Sequence, residues 1–190
     1  ELAYSVVDAI APQTQSDVLE FRRAGLGVYS TIKGSEQPTA GIEDAAIPPE
    51  NLQYYVPAVL DVVRRLNTRM IVYGHASVGV LHIRPLLDLK TPEGVRKYQA
   101  INDAVFELVK KYGGSWSGEH GDGLIRSQEN RAMFGDTLYE AFREIKRAFD
   151  PDWLMNPGKI VDAPPMTDNL RFGSAYPRDT LKTHFAFAED

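Results

Sequence analysis

The 190-residue chain contains no cysteine. This absence excludes disulfide bridges, thiolate metal sites and iron–sulfur ligation within the sequence. Long apolar runs are also missing: no stretch approaches the roughly 20 residues of a transmembrane helix, and no signal peptide is visible. Excess positive charge is missing as well, because the formal net charge is -5. Nucleic acid and anionic membranes reward clustered Lys and Arg, so neither is expected as the main partner, although an arginine pocket for a small anion stays open.

The remaining composition is that of an ordinary globular protein, with 43% apolar and 25% charged residues. The length suits one domain, or a domain with a tail. Because the chain begins at Glu1 rather than Met, we expect a fragment or a processed protein. We expect it to be cytoplasmic, with peripheral membrane association through an electron-acceptor partner as an alternative.

Five segments have the apolar periodicity and end signals of α-helices. Thr91 before Pro92 is a strong helix start, Asp136 is a further cap, and Pro57 predicts a kink or a break. The predicted helices are 14–25, 49–66, 92–112, 127–133 and 136–149. Aromatic residues at helical spacing are interpreted as core; they are Tyr54, Tyr55, Tyr98, Tyr112, Phe142 and Phe149.

Short β-prone stretches lie between the helices, at 26–32, 69–73, 78–83 and 115–117. The second and third flank a turn near Ser77, which favours a hairpin. Beyond residue 156 the chain is rich in proline and is read as an irregular arm. Because the strands are few and hairpin-like, we predict an α+β domain, with helices on one face of an antiparallel sheet, rather than a doubly wound parallel sheet.

Three of the four histidines lie in two glycine-bearing runs, YGHASVGVLHIRP (73–85) and SGEHGDG (117–123). His75, His82 and Glu119 together form a ligand set that a divalent metal accepts, with a position left open for water or substrate. The two histidines are seven residues apart and would face opposite sides of one strand, whereas a hairpin places them on adjacent strands. His120, next to Glu119, is suited to proton transfer near neutral pH.

Each feature also has an ordinary structural explanation. A lone histidine is more often a hydrogen-bonded structural residue, but three beside a carboxylate favour a site. Glycines at 118, 121 and 123 suit turns, and together they suggest close backbone approach to a ligand. The run GEHGDG lacks the ending of a phosphate loop, and the sequence has no HExxH helix, so a standard metalloprotease is disfavoured. Asp122 is explained as a turn former.

Arginines near these runs are candidates for binding a substrate carboxylate. Arg84 follows His82 by two residues, so both side chains point to the same side of the strand. Its guanidinium can bind a carboxylate through a bidentate fork, and a solvated strand-end charge is an equal alternative. Arg22 and Arg23 lie on the first predicted helix, and at least one of them is interpreted as a plain surface charge.

The run 73–160 resembles the C-terminal domain of FAD-linked oxidases of the vanillyl-alcohol-oxidase class. That group includes D-lactate dehydrogenases, D-2-hydroxyglutarate dehydrogenases and the glycolate oxidase FAD subunit. The resemblance rests on three blocks in order: GHASVGVLH, GEHGDG and FDPDWLMNPGKI (149–160). IEDAAIPPENL (42–52) and NLRFGSAYP (169–177) are similar to long flavoproteins in which an iron–sulfur module follows.

The resemblance implies a fold and a ligand set. The fold is a ferredoxin-like antiparallel sheet with helices, which caps a flavin ring held by an upstream domain. His75, His82 and Glu119 are the implied ligands of a divalent metal, with zinc as the expected ion. The histidine after the glutamate, here His120, is the implied base that removes the substrate hydroxyl proton.

Further roles follow from the same resemblance. Asn156 and Lys159 of the NPGK block are implied flavin contacts. An arginine on the first helix binds the substrate carboxylate in relatives, and Arg22 fits that position best, with Arg23 second. The chain departs from the pattern at 77–80, where relatives often have GDGN, and at Arg84, where they often have Asn; both leave the substrate open.

We therefore divide the chain into an FAD-linked oxidase C-terminal domain over 1–160 and an irregular linker over 161–190 toward a missing downstream iron–sulfur module. The glycine-rich pyrophosphate-binding domain is missing too, so FAD would be held mainly outside this chain. The expected activity is oxidation of a D-2-hydroxy acid, such as lactate, 2-hydroxyglutarate or glycolate, by hydride transfer to flavin, and the chain alone should be inactive. Three alternatives stay open: a metal-dependent hydrolase with a His-His-Glu site, a non-catalytic ferredoxin-like binding module, and a family member that uses these residues without a metal.

Overall fold

The computed structural model describes residues 8–29, 31–174 and 184, in two compact units that divide between Gly34 and Ser35. The first unit contains helix α1 (Pro12–Tyr29), which is longer than the predicted helix 14–25. The strand predicted over 26–32 is wrong, because α1 continues to Tyr29 and the backbone N–H groups of Thr31 and Ile32 bond back to the carbonyls of Val28 and Tyr29. Local helix hydrogen bonds therefore override the β-propensity of this stretch.

The second unit combines helices with a small antiparallel sheet, so the predicted α+β class is confirmed. Its sheet has the order β1-β3-β2 with both pairings antiparallel. The strands are β1 (Gln37–Pro38), β2 (Met70–His75) and β3 (Val80–Leu87); the helices are α2 (Leu52–Arg65), α3 (Pro92–Lys111), α4 (Gly123–Arg126) and α5 (Asn130–Phe149). Three strands are described here, and the finer ferredoxin-like assignment stays a prediction.

The predicted hairpin is formed by β2 and β3. A single 3-10 turn, Ala76–Val78, joins the strands, and Gly79 closes it with a φ of 76°. A Cβ at Gly79 would stand 1.7 Å from the carbonyl oxygen of Ile47, so no larger residue fits. The register opposes Tyr73 to His82 and His75 to Val80, and this register is what brings the two predicted histidine ligands to one side of the sheet.

The second-unit helices agree with their sequence signals in most places. Thr91 caps α3, with its hydroxyl accepting the N–H of Gly94 at 3.0 Å. A 3-10 turn, Pro49–Asn51, leads into α2, which continues through Pro57 rather than breaking there. Gly135, with a φ of 78°, interrupts α5 immediately before the predicted cap at Asp136.

The core lies between the sheet, α2 and α3. Its fully covered side chains include Tyr55 and Val59 of α2, Ile83 of β3, and Tyr98 and Ile101 of α3. Each buried side chain of this size contributes about 1.5–3 kcal/mol relative to an exposed one. The core prediction is confirmed for Tyr55 and Tyr98.

The core prediction is wrong for Tyr54 and Phe149, which are 58% and 79% exposed. Tyr54 lies on the outer side of α2, because its neighbour Tyr55 takes the inward position. Phe149 belongs to an apolar face of α5, together with Leu138 and Ile145, that is exposed in this structure. Helical spacing identifies such a face but does not tell which surface covers it.

Two segments lack regular secondary structure: 115–117, where a strand was predicted, and 161–174, which was predicted to be irregular. Ser115 forms an isolated bridge with Ala46 instead of the strand predicted over 115–117. The backbone N–H groups that follow it bond to a buried carboxylate, described below, and so are not free for a sheet partner. The C-terminal arm is irregular over 161–174, yet Val161 and Met166 are buried. In the part of the chain that the structure describes, no helix has both the length and the apolarity needed to span a bilayer.

Candidate metal centre

Three side chains predicted as metal ligands meet at one point. The Nε2 atom of His82 lies 3.1 Å from Oε1 of Glu119, and the Nε2 atom of His75 lies 3.7 Å from the same oxygen. One ligand atom from each residue lies within 4.8 Å of the others. Ligands about 2.1 Å from a tetrahedral zinc are about 3.4 Å from one another, so the observed spacing fits such an ion. The donor set, two imidazoles and one carboxylate, matches that of catalytic zinc sites.

The orientation of the His82 ring is fixed by a hydrogen bond at Nδ1, the nitrogen that faces away from Glu119. Its Nδ1 atom lies 2.7 Å from the backbone carbonyl oxygen of Glu43, and only a protonated Nδ1 can donate to that acceptor. With Nδ1 used in this bond, Nε2 is the ring atom that faces Glu119 and is placed to bind an ion. A metal-binding histidine commonly donates its other ring N–H to a carbonyl in this way. His82 is 5% exposed, whereas His75 and Glu119 are open to solvent on one side.

The segment that carries Glu119 and His120 is held by Asp44, a residue that the sequence analysis did not single out. Its carboxylate is fully buried and accepts the hydroxyl of Ser117 at 2.7 Å and the backbone N–H groups of Gly118, Glu119 and His120, each at 3.0 Å. Burial acts to raise the pKa of Asp44, but the bonds from Ser117 and from the N–H groups of Glu119 and His120, and the charge of His120, together hold this pKa below its ordinary value. Asp44 is therefore a fixed anion under the Glu119–His120 segment.

His120, the predicted base, lies at the edge of the same cluster. Its ring stacks on His82 with centroids 5.2 Å apart and planes at 6°. Its Nε2 atom is 3.4 Å from Oε1 of Glu119, and its Nδ1 atom is 3.5 Å from Oδ1 of Asp44. The side chain is 40% exposed, so a ligand bound at the cluster can reach it.

A buried ion pair, also missed from the sequence, ties the two loops of the site together. Arg126 is 6% exposed and lies 3.4 Å from the carboxylate of Glu43. The same guanidinium donates to the carbonyl of Gly121 at 3.1 Å and to that of Gly41 at 3.1 Å. The Glu43 carboxylate also accepts the N–H of Gly41. Two acidic residues directly before the apolar run 45–47 are the one feature of the sequence that could have drawn attention to Glu43 and Asp44. Nothing in the sequence indicated that Arg126 pairs with Glu43.

The arginines predicted to bind a substrate carboxylate lie on two elements, Arg84 on β3 and Arg22 and Arg23 on α1. Arg84 opposes Ile71 in the sheet and follows His82 by two residues on β3, so it shares that strand face. Its Nε atom is buried and finds no hydrogen-bond partner among the described residues. A buried donor without a partner is uncommon and is consistent with a ligand acceptor. Arg22 and Arg23 are exposed on α1 in the first unit, and their roles stay predictions.

The predicted flavin contacts lie in a turn that follows α5. Lys159 donates to the side-chain oxygen of Asn156 at 2.8 Å, and both are accessible. The side-chain amide of Asn130 donates to the carboxylate of Asp122 and to the carbonyl of Ile160, each at 3.0 Å. The NPGK turn is thereby joined to the GEHGDG loop. An ammonium and an amide on one turn offer donors suited to the carbonyl or phosphate oxygens of a flavin nucleotide.

A cleft of about 300 Å³ adjoins Glu119 on the side of α5. Its lining combines hydroxyl, amide and carboxylate groups with apolar side chains: Ser115, Ser117, Asp122 and Asn130 with Trp116, Met133 and Phe134.

Comparison with known proteins identifies the family to which the chain belongs. Residues 3–160 match the family model described as FAD linked oxidases, C-terminal domain. The chain is 38% identical over 153 residues to a D-2-hydroxyglutarate dehydrogenase of Haemophilus influenzae, covering 80% of this chain and 15% of that protein. It is 30% identical over 156 residues to a D-lactate dehydrogenase of Archaeoglobus fulgidus, and 28% identical over 158 residues to the glycolate oxidase subunit GlcD of Bacillus subtilis.

These two alignments cover 82% and 83% of this chain and 33% of each relative. The chain thus spans a third or less of these relatives, and the relatives are oxidoreductases by name. The three sequence blocks that carried the resemblance all lie within the matched region. The chain belongs to the family of FAD-linked oxidase C-terminal domains.

Proposed function

We propose that this chain is the substrate- and metal-binding part of an FAD-dependent dehydrogenase that oxidises a D-2-hydroxy acid to the 2-oxo acid. The observation that carries the proposal is the convergence of the Nε2 atoms of His75 and His82 on one oxygen of Glu119. Family membership and the names of the relatives support the redox class. Lactate-, 2-hydroxyglutarate- and glycolate-like acids are the candidate substrates.

The residues present fit a divalent ion such as zinc. His75, His82 and Glu119 would hold it, and His82 would bind through Nε2 because its Nδ1 atom faces the Glu43 carbonyl. When bound, the ion would polarise the substrate hydroxyl, and the flavin would accept hydride from C2.

The chain's own residues then bind the acid and move one proton. Arg84 binds the carboxylate of the substrate through its guanidinium, with Arg22 as the second candidate. His120 removes the hydroxyl proton at Nε2, since its Nδ1 atom faces buried Asp44. The positive charge that His120 gains is stabilised by the two carboxylates on either side of it, Asp44 and Glu119.

The cofactor and partner assignments belong to the same proposal. Asn156 and Lys159 contact a flavin that is held mainly by an upstream FAD-binding domain, and a downstream iron–sulfur module takes the electrons. Both modules lie in the same polypeptide as this chain, with 1–160 as the oxidase domain and 161–190 as the linker. The assembled protein is cytoplasmic, with peripheral membrane contact through its electron acceptor as the alternative.

The test uses the polypeptide that joins this chain to its flavin-binding domain. Anaerobic mixing with D-2-hydroxy acids should bleach the flavin absorbance, and the L-enantiomers should not. His120→Ala should lower the rate of flavin reduction by about 10²–10⁴-fold, because a positioned base contributes that much, while bound metal stays unchanged. The matched control is His184→Ala, which removes the histidine outside the two glycine-bearing runs.

Three results would contradict the proposal in different ways. Unchanged flavin reduction in His120→Ala refutes the assignment of the base. Hydrolysis by the isolated, metal-loaded chain supports the hydrolase alternative. Absence of bound metal, combined with tolerance of His75→Ala, supports a non-catalytic module.

A further inference from the structure

The side chain of Asp44 binds groups that lie 73 to 76 residues further along the chain, in the segment 117–120. Its carboxylate accepts one hydroxyl and three consecutive backbone N–H groups, all from 117–120. Its own carbonyl accepts a further bond from Gly118 N–H at 2.8 Å. All four donors belong to one short segment, and that segment carries Glu119 and His120.

Four hydrogen bonds occupy the carboxylate of Asp44, three of them on Oδ2. Asp44, Glu119 and His120 also come within coordinating distance of one another. Recruiting Asp44 to an ion would, however, compete with the hydrogen bonds that hold the segment 117–120, and His75, His82 and Glu119 already form a ligand set without it. The group therefore acts through the segment that it binds.

The residues next to Asp44 secure the other half of the ligand set. The Glu43 carbonyl holds His82, Ala45 O accepts Leu81 N–H at 3.3 Å, and Ile47 N–H donates to Gly79 O at 3.0 Å. The segment 43–47 is thus bonded on one side to the start of β3, which carries His82, and on the other side to the Glu119–His120 segment. His82 and the Glu119–His120 segment are therefore held by the same five residues.

We propose that Asp44 is a positioning residue for the metal centre: it fixes the backbone of Glu119 and His120 so that the Glu119 carboxylate faces His75 and His82. The proposal rests on the proposed function above, in that it takes these three residues to be metal ligands. It adds a residue that touches neither metal nor substrate but on which the affinity for the metal depends.

The test is zinc binding by the 190-residue chain, measured by titration calorimetry against a competing chelator. Asp44→Asn keeps the size of the side chain but places an amide NH₂ where donors converge, so it loosens the segment. We expect zinc affinity to fall about 10–100-fold, the range found when an outer partner of a metal ligand is changed. Circular dichroism and thermal melting establish whether each variant is folded.

The matched control is Asp150→Asn. Asp150 is also buried, and its carboxylate also accepts two backbone N–H groups, those of Leu154 and Met155, at 2.9 and 3.0 Å. A merely structural role of Asp44 would make the two variants alike in zinc affinity. Positioning predicts that Asp150→Asn binds zinc like the unchanged chain even where it melts earlier.

Ser117→Ala gives a second variant that removes one donor to Asp44 and leaves the charge in place. It should weaken zinc binding by several-fold and decides the question if Asp44→Asn does not fold. Unchanged zinc affinity in folded Asp44→Asn, or in Ser117→Ala when the first variant is unfolded, overturns the proposal, as does an equal loss in Asp150→Asn. If the unchanged chain binds no zinc, the metal part of the proposed function fails as well, a result distinct from the other three.

Discussion

The buried pair between Arg126 and Glu43 gives the sharpest prediction about the stability of the site. Arg126→Met keeps the apolar stem of the side chain but removes the guanidinium. It leaves the Glu43 carboxylate, whose side chain is 7% exposed, with the N–H of Gly41 as its remaining described donor. It also removes the donors to the carbonyls of Gly41 and Gly121.

The magnitude follows from burial and distance. Removing one member of a buried ion pair costs about 3–5 kcal/mol, because an uncompensated charge stays behind. The 3.4 Å separation is at the long end for a hydrogen bond, so we expect a loss of about 3 kcal/mol in the free energy of unfolding. Adding Glu43→Gln should recover part of this loss, with an interaction energy of about 0.5–3 kcal/mol.

The assay is urea unfolding followed by circular dichroism, for both single variants and the double variant. The control is Arg131→Met, which removes an arginine with two ion-pair partners at the surface, Asp136 and Glu140, and should cost much less. A loss below about 1 kcal/mol for Arg126→Met, or losses in the double variant that simply add, would show that Arg126 and Glu43 do not stabilise the fold as a pair.

Three further predictions follow. Gly79→Ala should lower the melting temperature and weaken zinc binding, because its Cβ would meet the Ile47 carbonyl at a left-handed φ; a melting curve and a zinc titration as good as those of the unchanged chain would refute this. Arg84→Met should raise KM for the hydroxy acid in the flavin-containing polypeptide far more than it lowers kcat, and an unchanged KM would exclude carboxylate binding there. Burial, with Asp103 and Glu107 nearby, raises the pKa of Glu129, so its ionised form opposes folding and stability falls as pH rises through that pKa. Glu129→Gln should therefore have a larger free energy of unfolding than the unchanged chain at pH 7. The difference should disappear in acid, where Glu129 is protonated in both the folded and the unfolded state. The same difference between the two chains at both pH values would contradict this.

Local patterns predicted the parts of the site that depend on neighbouring residues. The turn around Ser77 and the flanking β-branched residues were enough to place His75 and His82 on adjacent strands. The cap at Thr91 likewise fixed the start of α3. These features need no knowledge of the tertiary fold.

The contacts that complete the site could not be predicted in this way. Asp44 binds donors more than 70 residues along the chain, and Arg126 reaches Glu43 across 83 residues. No periodicity or spacing encodes such pairs, because they arise only when the 43–47 segment packs between β3 and the GEHGDG loop. The wrong prediction of a strand over 26–32 has a local cause instead. Helical hydrogen bonds at the end of α1 form there in spite of the β-propensity of these residues.

Whether His75, His82 and Glu119 bind a metal is tested most directly by the amount and coordination of zinc in the purified, metal-loaded chain, measured by elemental analysis and X-ray absorption. We expect one zinc per chain, with two imidazole nitrogens and a carboxylate oxygen at about 2.0–2.2 Å, and loss of this zinc in His82→Ala. A substoichiometric ion, a coordination shell without imidazole, or full zinc content in His82→Ala would contradict it.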